Sequence, residues 1–431
     1  MHIRVKKGLD IPIEGAPTDE TIRELSSDNV ALDVSDYRYL RFTLLKKVGE
    51  SVSQGEPILE DKAFPERRFV ATVSGTIRDV VRGERRQIQE IVIEKQGASK
   101  HDIVEEEDKI KWLALNGLFH YIRCRPGAQL PRPGQTPNCI FVNATATAPF
   151  EPSPNMEAQQ HLDDFQKGLL FLKEICPVHL VGTEGSFEGI ETHTVEGKHP
   201  AGNASVHIYN INPLLKRDQK IWTLGVSGVI AIGKALHGEY YNSRVIAVAG
   251  SPFPTEVRGY YNSDIGVSVA SLTERRPENT RIISGSPLTG RKIKRDGFLG
   301  FNDHVISALD EEGVSDWMHF CRLGAKRFTT TRTYLSALLK KCQLRTTAQY
   351  GEERPFVDAD IYERVMPMQI PVMELVKAVM TKNFELAEEL GLLEVAPEDF
   401  ALPAFVCPSK IPMMQIIRDG LDDYVEQYLS D

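Results

Sequence analysis

The sequence predicts a multidomain chain of α/β and β modules that ends in helices. Three observations carry that reading. With 431 residues the chain exceeds what one ordinary core organises, so roughly two to four domains are expected. The first hundred or so residues are short apolar runs cut by glycine turns, and the stretch from about 105 to 256 alternates strand-like with helix-like segments. The last eighty or so residues carry apolar stripes at helical spacing.

Residues 1–100 form the first expected unit. Gly49 and Gly55 punctuate one hairpin, Ser74-Gly75 turns the next, and residues 70–73 and 91–93 read as strands. The stretch from Lys46 to Glu94 resembles the barrel-sandwich hybrid of lipoyl and biotinyl domains. Glu60-Asp61-Lys62-Ala63 matches the surroundings of the modified lysine in that fold. Here Phe64-Pro65-Glu66-Arg67 follows at once and lengthens the loop, so Lys62 is expected to stay unmodified. A charge-rich connector, Asp102 to Asp108, leads to an expected Rossmann-like α/β domain over 105–256. Its expected strands include residues 140–142, 178–181, 207–209 and 245–249. Leu162, Phe165, Leu169 and Leu172 mark a helix, and Trp222 to His237 a strand, turn and helix. Between Arg123 and Cys139 prolines and glycines predict a long surface loop.

Residues 257–312 resemble the small β-grasp-like module beside the flavin domain of complex I and Rnf complexes, with Gly290, Gly297 and Gly300 as its turns. A mixed connector is expected over 313–350 and a helical domain over 351–431. In the latter, Met373, Val376, Val379 and Met380 share a face. Phe384, Leu386, Ala387 and Leu390 form the next helix, which Gly391 stops. Pro412 opens the last helix, striped by Met413, Ile416, Ile417, Leu421, Tyr424 and Tyr428.

Several function classes are disfavoured. The net charge of −9 argues against a nucleic-acid partner, and the basic group Arg322, Lys326, Arg327 and Arg332 reads as a solvated face. No window approaches the roughly 18–20 apolar residues of a membrane span. Six cysteines occur without a Cys-x-x-Cys pair and read as free thiols. Gly228 to Lys234 satisfies G-x4-G-K, but Ala235 supplies no hydroxyl for magnesium, and the β-branched Val229, Ile230 and Ile232 suit a packed element. No Gly-x-Gly-x-x-Gly follows a strand, and His193, His199 and His207 lack zinc-ligand spacing, so no metal is expected. Near the C-terminus Cys407-Pro408 looks like the end of a ferredoxin-type ligand run, yet Pro403, Ala404 and Phe405 before it offer no thiolate. One cysteine cannot hold a cluster that needs four ligands.

Five blocks then occur in an order shared with one family: KKGLDIPIEGAP (Lys6 to Pro17, with Lys7 and Gly8), HPAG (His199 to Gly202, with Pro200), RIISGSPLTG (Arg281 to Gly290), YERVMP (Tyr362 to Pro367, with Arg364) and FVCPSK (with Cys407 and Pro408). By these blocks the chain resembles the A subunit of the sodium-translocating NADH:quinone oxidoreductase of bacterial membranes. The resemblance implies a peripheral subunit on the cytoplasmic side of the inner membrane, in contact with the membrane-embedded B subunit. It implies a complex that oxidises NADH, reduces ubiquinone and exports sodium, with flavins and iron–sulfur centres in sister subunits and no redox cofactor in this one. It also implies a structural and quinone-side role, with ubiquinone as a candidate ligand. His199 and Asn203 in the HPAG turn, with Arg125 and Arg132 in the Arg125 to Pro137 loop, are the candidate quinone donors, although a satisfied structural histidine remains open for His199. The alternative is a stand-alone or Rnf-type flavin/iron–sulfur NADH oxidoreductase subunit, which would need cysteine runs and a phosphate loop. A lipoyl-type carrier would need a modified Lys62.

Overall fold

The structure is a computed structural model, and it describes every residue except 184, 186, 275–277, 312–323, 325–327, 329–333, 337–343, 350, 351, 430 and 431. The basic group at 322–332, Cys321, Cys342 and most of the expected connector over 313–350 therefore lie outside the described residues.

Two small sheets form the N-terminal β unit. Asn29–Asp33, Ile88–Lys95, Gly75–Arg82 and Ser51–Val52 make one, and Phe42–Leu44, Pro57–Asp61 and Arg68–Val70 the other. Their inner faces bury Leu32, Ile58, Leu59, Phe69, Ile77, Ile91 and Ile93. The hairpin carrying Lys62 closes differently from a tight two-residue turn. Asp61 and Arg67, both buried, form an ion pair at 2.9 Å across the neck of the loop, and Lys62 lies exposed beyond it.

The α/β layer is a six-stranded sheet in the order His2–Arg4, Glu191–Glu196, Val178–Val181, Cys139–Asn143, Ile221–Gly225, Arg123–Arg125. All neighbours pair in parallel except the last, antiparallel, pair. Successive side chains point to opposite faces. Ile140, Val142, Leu180, Trp222 and Leu224 join the core beneath helices Leu162–Lys173 and Val226–Leu236, continuous with the N-terminal β core. Cys139, Phe141, Val181 and Ile221 join the core of the C-terminal helices instead. Residues 207–209, expected as a strand, lie inside helix Ala204–Ile211. Val206, His207 and Ile208 are buried together there, and a short buried run does not distinguish a helix from a strand.

A second six-stranded sheet runs Arg291–Ile293, Thr280–Ser284, Val305–Asp310, Ser243–Ala249, Gly259–Asp264, Ile22–Leu25. Ser243–Ala249, which alternation had attached to the α/β layer, is an interior strand here and pairs with Val305–Asp310 and Gly259–Asp264. The segment before Asn29 is shared out as well, since His2–Arg4 and Ile22–Leu25 each complete the edge of a different sheet.

The C-terminal end packs short helices against Met413–Tyr428. In Val372–Met380 the buried face is Val372, Leu375, Val376 and Val379, whereas Met380 is 54% exposed. Leu386 is likewise exposed and Phe384 and Ala387 buried, a rotation of the expected stripes toward the neighbouring helix. Gly391 has φ +98 and ends the Phe384–Glu389 segment as expected.

Candidate functional site

A cleft of about 260 Å³ opens at the carboxyl ends of Cys139–Asn143 and Ile221–Gly225. These two neighbours mark the sheet's switch point. From Cys139–Asn143 the chain proceeds outward through Val178–Val181 and Glu191–Glu196, then returns to add Ile221–Gly225 on the other side. In open α/β sheets the crevice outside the strand ends at such a point is where ligands bind. The opposite wall comes from the second sheet's strand Ser243–Ala249, through Arg244 and Val245, and from the turn before Val305–Asp310, through Asn302 and His304.

Arg244, Glu157 and Glu151 are three of the ionisable side chains that line this cleft, with Arg123, Tyr121 and His304. Arg244 is 3% exposed, its Nε and Nη2 find no acceptor among the described residues, and its guanidinium lies 5.5 Å over the Phe301 ring. Glu157 is 3% exposed and accepts from the Tyr241 hydroxyl at 2.5 Å and the Ser227 hydroxyl at 2.9 Å. Burial raises its carboxyl above the ordinary range, against the pull of Tyr241 and Arg244. Burial also pushes Glu151 up to about 7, although the Ala148 amide donates to it at 3.2 Å. The lining of the cleft thus includes a guanidinium with two unpartnered nitrogens and, at Glu151, a carboxyl that can hold a proton near neutrality. His304 behind it stays neutral, held down to about 3 by burial.

The G-x4-G-K segment borders this cleft but forms no phosphate loop. Residues 228–234 lie inside helix Val226–Leu236, where a side chain on Gly233 would meet the Asp164 carbonyl of the adjacent helix. The glycines serve helix packing, as the β-branched residues between them suggested.

The four loop residues expected to donate to a quinone are not exposed together. His199 is 3% exposed, with Nδ1 against the Thr147 hydroxyl at 3.2 Å and its amide donating to Asp10 at 3.1 Å. Burial lowers its pKa to about 4, so the ring is neutral. Asn143 and Thr145 hold the Gly202 carbonyl, and the N-terminal segment covers the turn as Leu9 donates to the His199 carbonyl at 2.8 Å. Gly8, with φ +143, is required there because a Cβ would strike that same carbonyl. The Gly8 amide in turn donates to the Arg364 carbonyl at 3.2 Å, so three of the sequence blocks converge on one spot.

Arg125 and Asn203 meet at a different place. Arg125 is 3% exposed and pairs with Glu398 at 3.3 Å; the Asn203 amide donates to Asp399 at 2.8 Å. Both clamp the C-terminal helices onto the α/β layer. Arg132 is only half-buried and belongs to neither group. Pro367 follows the Asp360–Glu363 helix, and Cys407 is buried with Sγ 3.2 Å from the Tyr362 hydroxyl. Sequence reading missed Arg244, Glu151 and Glu157. Arg244 stands just before the apolar run expected as a strand over 245–249, and only the position of strand ends in a folded sheet singles it out.

Family resemblance extends over nearly the whole chain. The NqrA N-terminal barrel-sandwich hybrid domain matches residues 3–96, the NqrA second alpha/beta domain residues 104–240, and the NQRA C-terminal domain residues 245–295. The A subunit of the Na(+)-translocating NADH-quinone reductase from Chlamydia pneumoniae is 34% identical over 99% of this chain and 98% of its own length. Its counterpart from Chlamydia caviae is 34% identical over 99% and 97%, and that from Pseudomonas aeruginosa 31% identical over 97% and 98%.

Proposed function

The chain belongs to the family of A subunits of the Na(+)-translocating NADH-quinone reductases, and we propose that it serves the quinone side of such a complex without a redox cofactor of its own. In this reading it sits on the cytoplasmic face of the inner membrane against the embedded B subunit, while sister subunits carry the flavins and iron–sulfur centres. No helix among the described residues is long and apolar enough to cross a membrane, which fits a peripheral place. We read the α/β layer as Rossmann-like, the second sheet's module as β-grasp-like and Lys62 as unmodified.

The observation that carries the quinone-side role is the cleft at the switch point. A quinone head has two carbonyl oxygens and takes up protons on reduction. A guanidinium with free N–H donors and a carboxyl that holds its proton to about pH 7 answer both needs in one recess. His199, Arg125 and Asn203 are spent on holding segments together, so the contact is assigned to Arg244 and Glu151. A flavin phosphate would compete with the Glu157 carboxylate that already occupies the Ser227 hydroxyl at the start of the helix.

In the assembled complex, Arg244→Gln should raise the KM for quinone about tenfold, as expected for a lost hydrogen bond to a charged group, and Glu151→Gln about threefold to fivefold, as expected for the hydrogen bond of a neutral carboxyl. The KM for NADH and the sodium dependence should not move. Unchanged quinone KM and inhibitor sensitivity in both variants would reduce this cleft to a scaffold.

A further inference from the structure

His179, Glu191 and His193 are far from regular ligand spacing in sequence, yet the parallel pairing of Val178–Val181 with Glu191–Glu196 gathers them. His179 is in register with Glu191, and His193 stands two residues on, so all three share one face of the sheet. His179 Nδ1 lies 3.2 Å from the Glu191 carboxylate and 3.2 Å from His193 Nε2, and the latter two atoms are 3.9 Å apart. A tetrahedral ion with ligands at about 2.0–2.1 Å separates neighbouring ligand atoms by roughly 3.3–3.4 Å. The observed triangle is close to that size. It is also the one His/Cys/Asp/Glu group of metal-binding dimensions among the described residues.

Hydrogen bonding alone serves this triangle poorly. A ring nitrogen carries at most one proton, so His179 Nδ1 has no more than one for two neighbours at the same distance. If His193 donates instead, a ring lone pair is left facing the carboxylate. A divalent cation at the centre takes all three lone pairs at once. We propose that His179 Nδ1, His193 Nε2 and the Glu191 carboxylate bind one divalent transition-metal ion, with zinc the best fit to two imidazoles and a carboxylate. Glu191 is 70% exposed, so solvent reaches the site and completes the coordination. His193 Nδ1 meets no partner among the described residues, so the contact at Nε2 alone selects that ring's tautomer. The ion would tie the strand carrying His179 to the one that holds the His2–Arg4 edge.

The test uses the full chain, stripped with a chelator and titrated with Zn²⁺ against a chromophoric competitor, and with Co²⁺ followed by its visible spectrum. One equivalent should bind, the Co²⁺ bands should have tetrahedral intensity, and thermal unfolding should shift upward with Zn²⁺. Glu191→Gln and His193→Gln should each weaken binding at least about tenfold, whereas His237→Gln should leave it unchanged. Glu191 is exposed, so its variant keeps the test decisive if loss of the buried histidine disturbs folding. Absence of stoichiometric binding, or binding that Glu191→Gln leaves intact, overturns the proposal.

Discussion

Asp399 is 1% exposed and takes hydrogen bonds from the Asn203 amide and from the Ala396 backbone, both at 2.8 Å. Burial first, and the neighbouring Glu398 charge second, raise its pKa from 3.8 to about 6 in spite of Arg125. The folded state therefore holds a proton that the unfolded chain has lost between those values. The stabilisation is present below about pH 3.8 and is lost as pH rises through about 6. Buried His199 and His207, lowered to about 4, act in the opposite sense, since they must charge as pH falls below 6.5. The expected result is thus a difference: Asp399→Asn should flatten the decline in stability between pH 4 and 6 relative to wild type. Chemical denaturation at several pH values measures it, and parallel curves for the two proteins would contradict the assignment.

Helices Leu162–Lys173 and Val226–Leu236 approach closely because glycines lie at their contact. A Cβ on Gly168 would meet the Val229 carbonyl, and one on Gly233 the Asp164 carbonyl. Backbone cannot yield as a side chain can, so Gly233→Ala should cost about 1–3 kcal/mol through forced separation of the helices. Gly225, at the N-cap of the same helix, faces open space at φ −88, and Gly225→Ala should stay within about 0.5 kcal/mol of wild type. Equilibrium unfolding of the pair separates a packing role from a general glycine effect. Equal losses at both positions would point to backbone entropy instead.

Two of the three apolar cores among the described residues are shared between units, and the third belongs to the second six-stranded sheet. One runs from the N-terminal sheets into the α/β layer, and a second joins the other face of that layer to the C-terminal helices. The N-terminal segment adds an edge strand to each six-stranded sheet and caps the HPAG turn on its way. No helix among the described residues is long and apolar enough to cross a membrane. The peripheral role proposed above predicts that the chain expressed alone remains in the high-speed supernatant, and that coexpression with partner subunits moves it to the membrane fraction. Fractionation with immunodetection checks this, and binding of the lone chain to protein-free liposomes would count against it.

Short-range features were readable without the fold. The 226–236 helix, its strand before it and the glycine stop at Gly391 follow from local periodicity and backbone conformation. The extended loop after Lys62 was visible too, although the Asp61–Arg67 pair that closes its neck was not. What sequence by itself determined is the N-terminal barrel-sandwich hybrid, the mixture of α/β sheets with helices, the ordered blocks that mark the family, and the packed element in place of a phosphate loop at G-x4-G-K. Tertiary structure alone decided which sheet receives Ser243–Ala249, that the HPAG turn is buried, and that Arg244 and Glu151 share a cleft. It also decided that His179, Glu191 and His193 meet. The physical reason is common to all four: strand pairing joins residues remote in the chain, and burial depends on what packs from elsewhere, so neither leaves a periodic trace in the residues themselves.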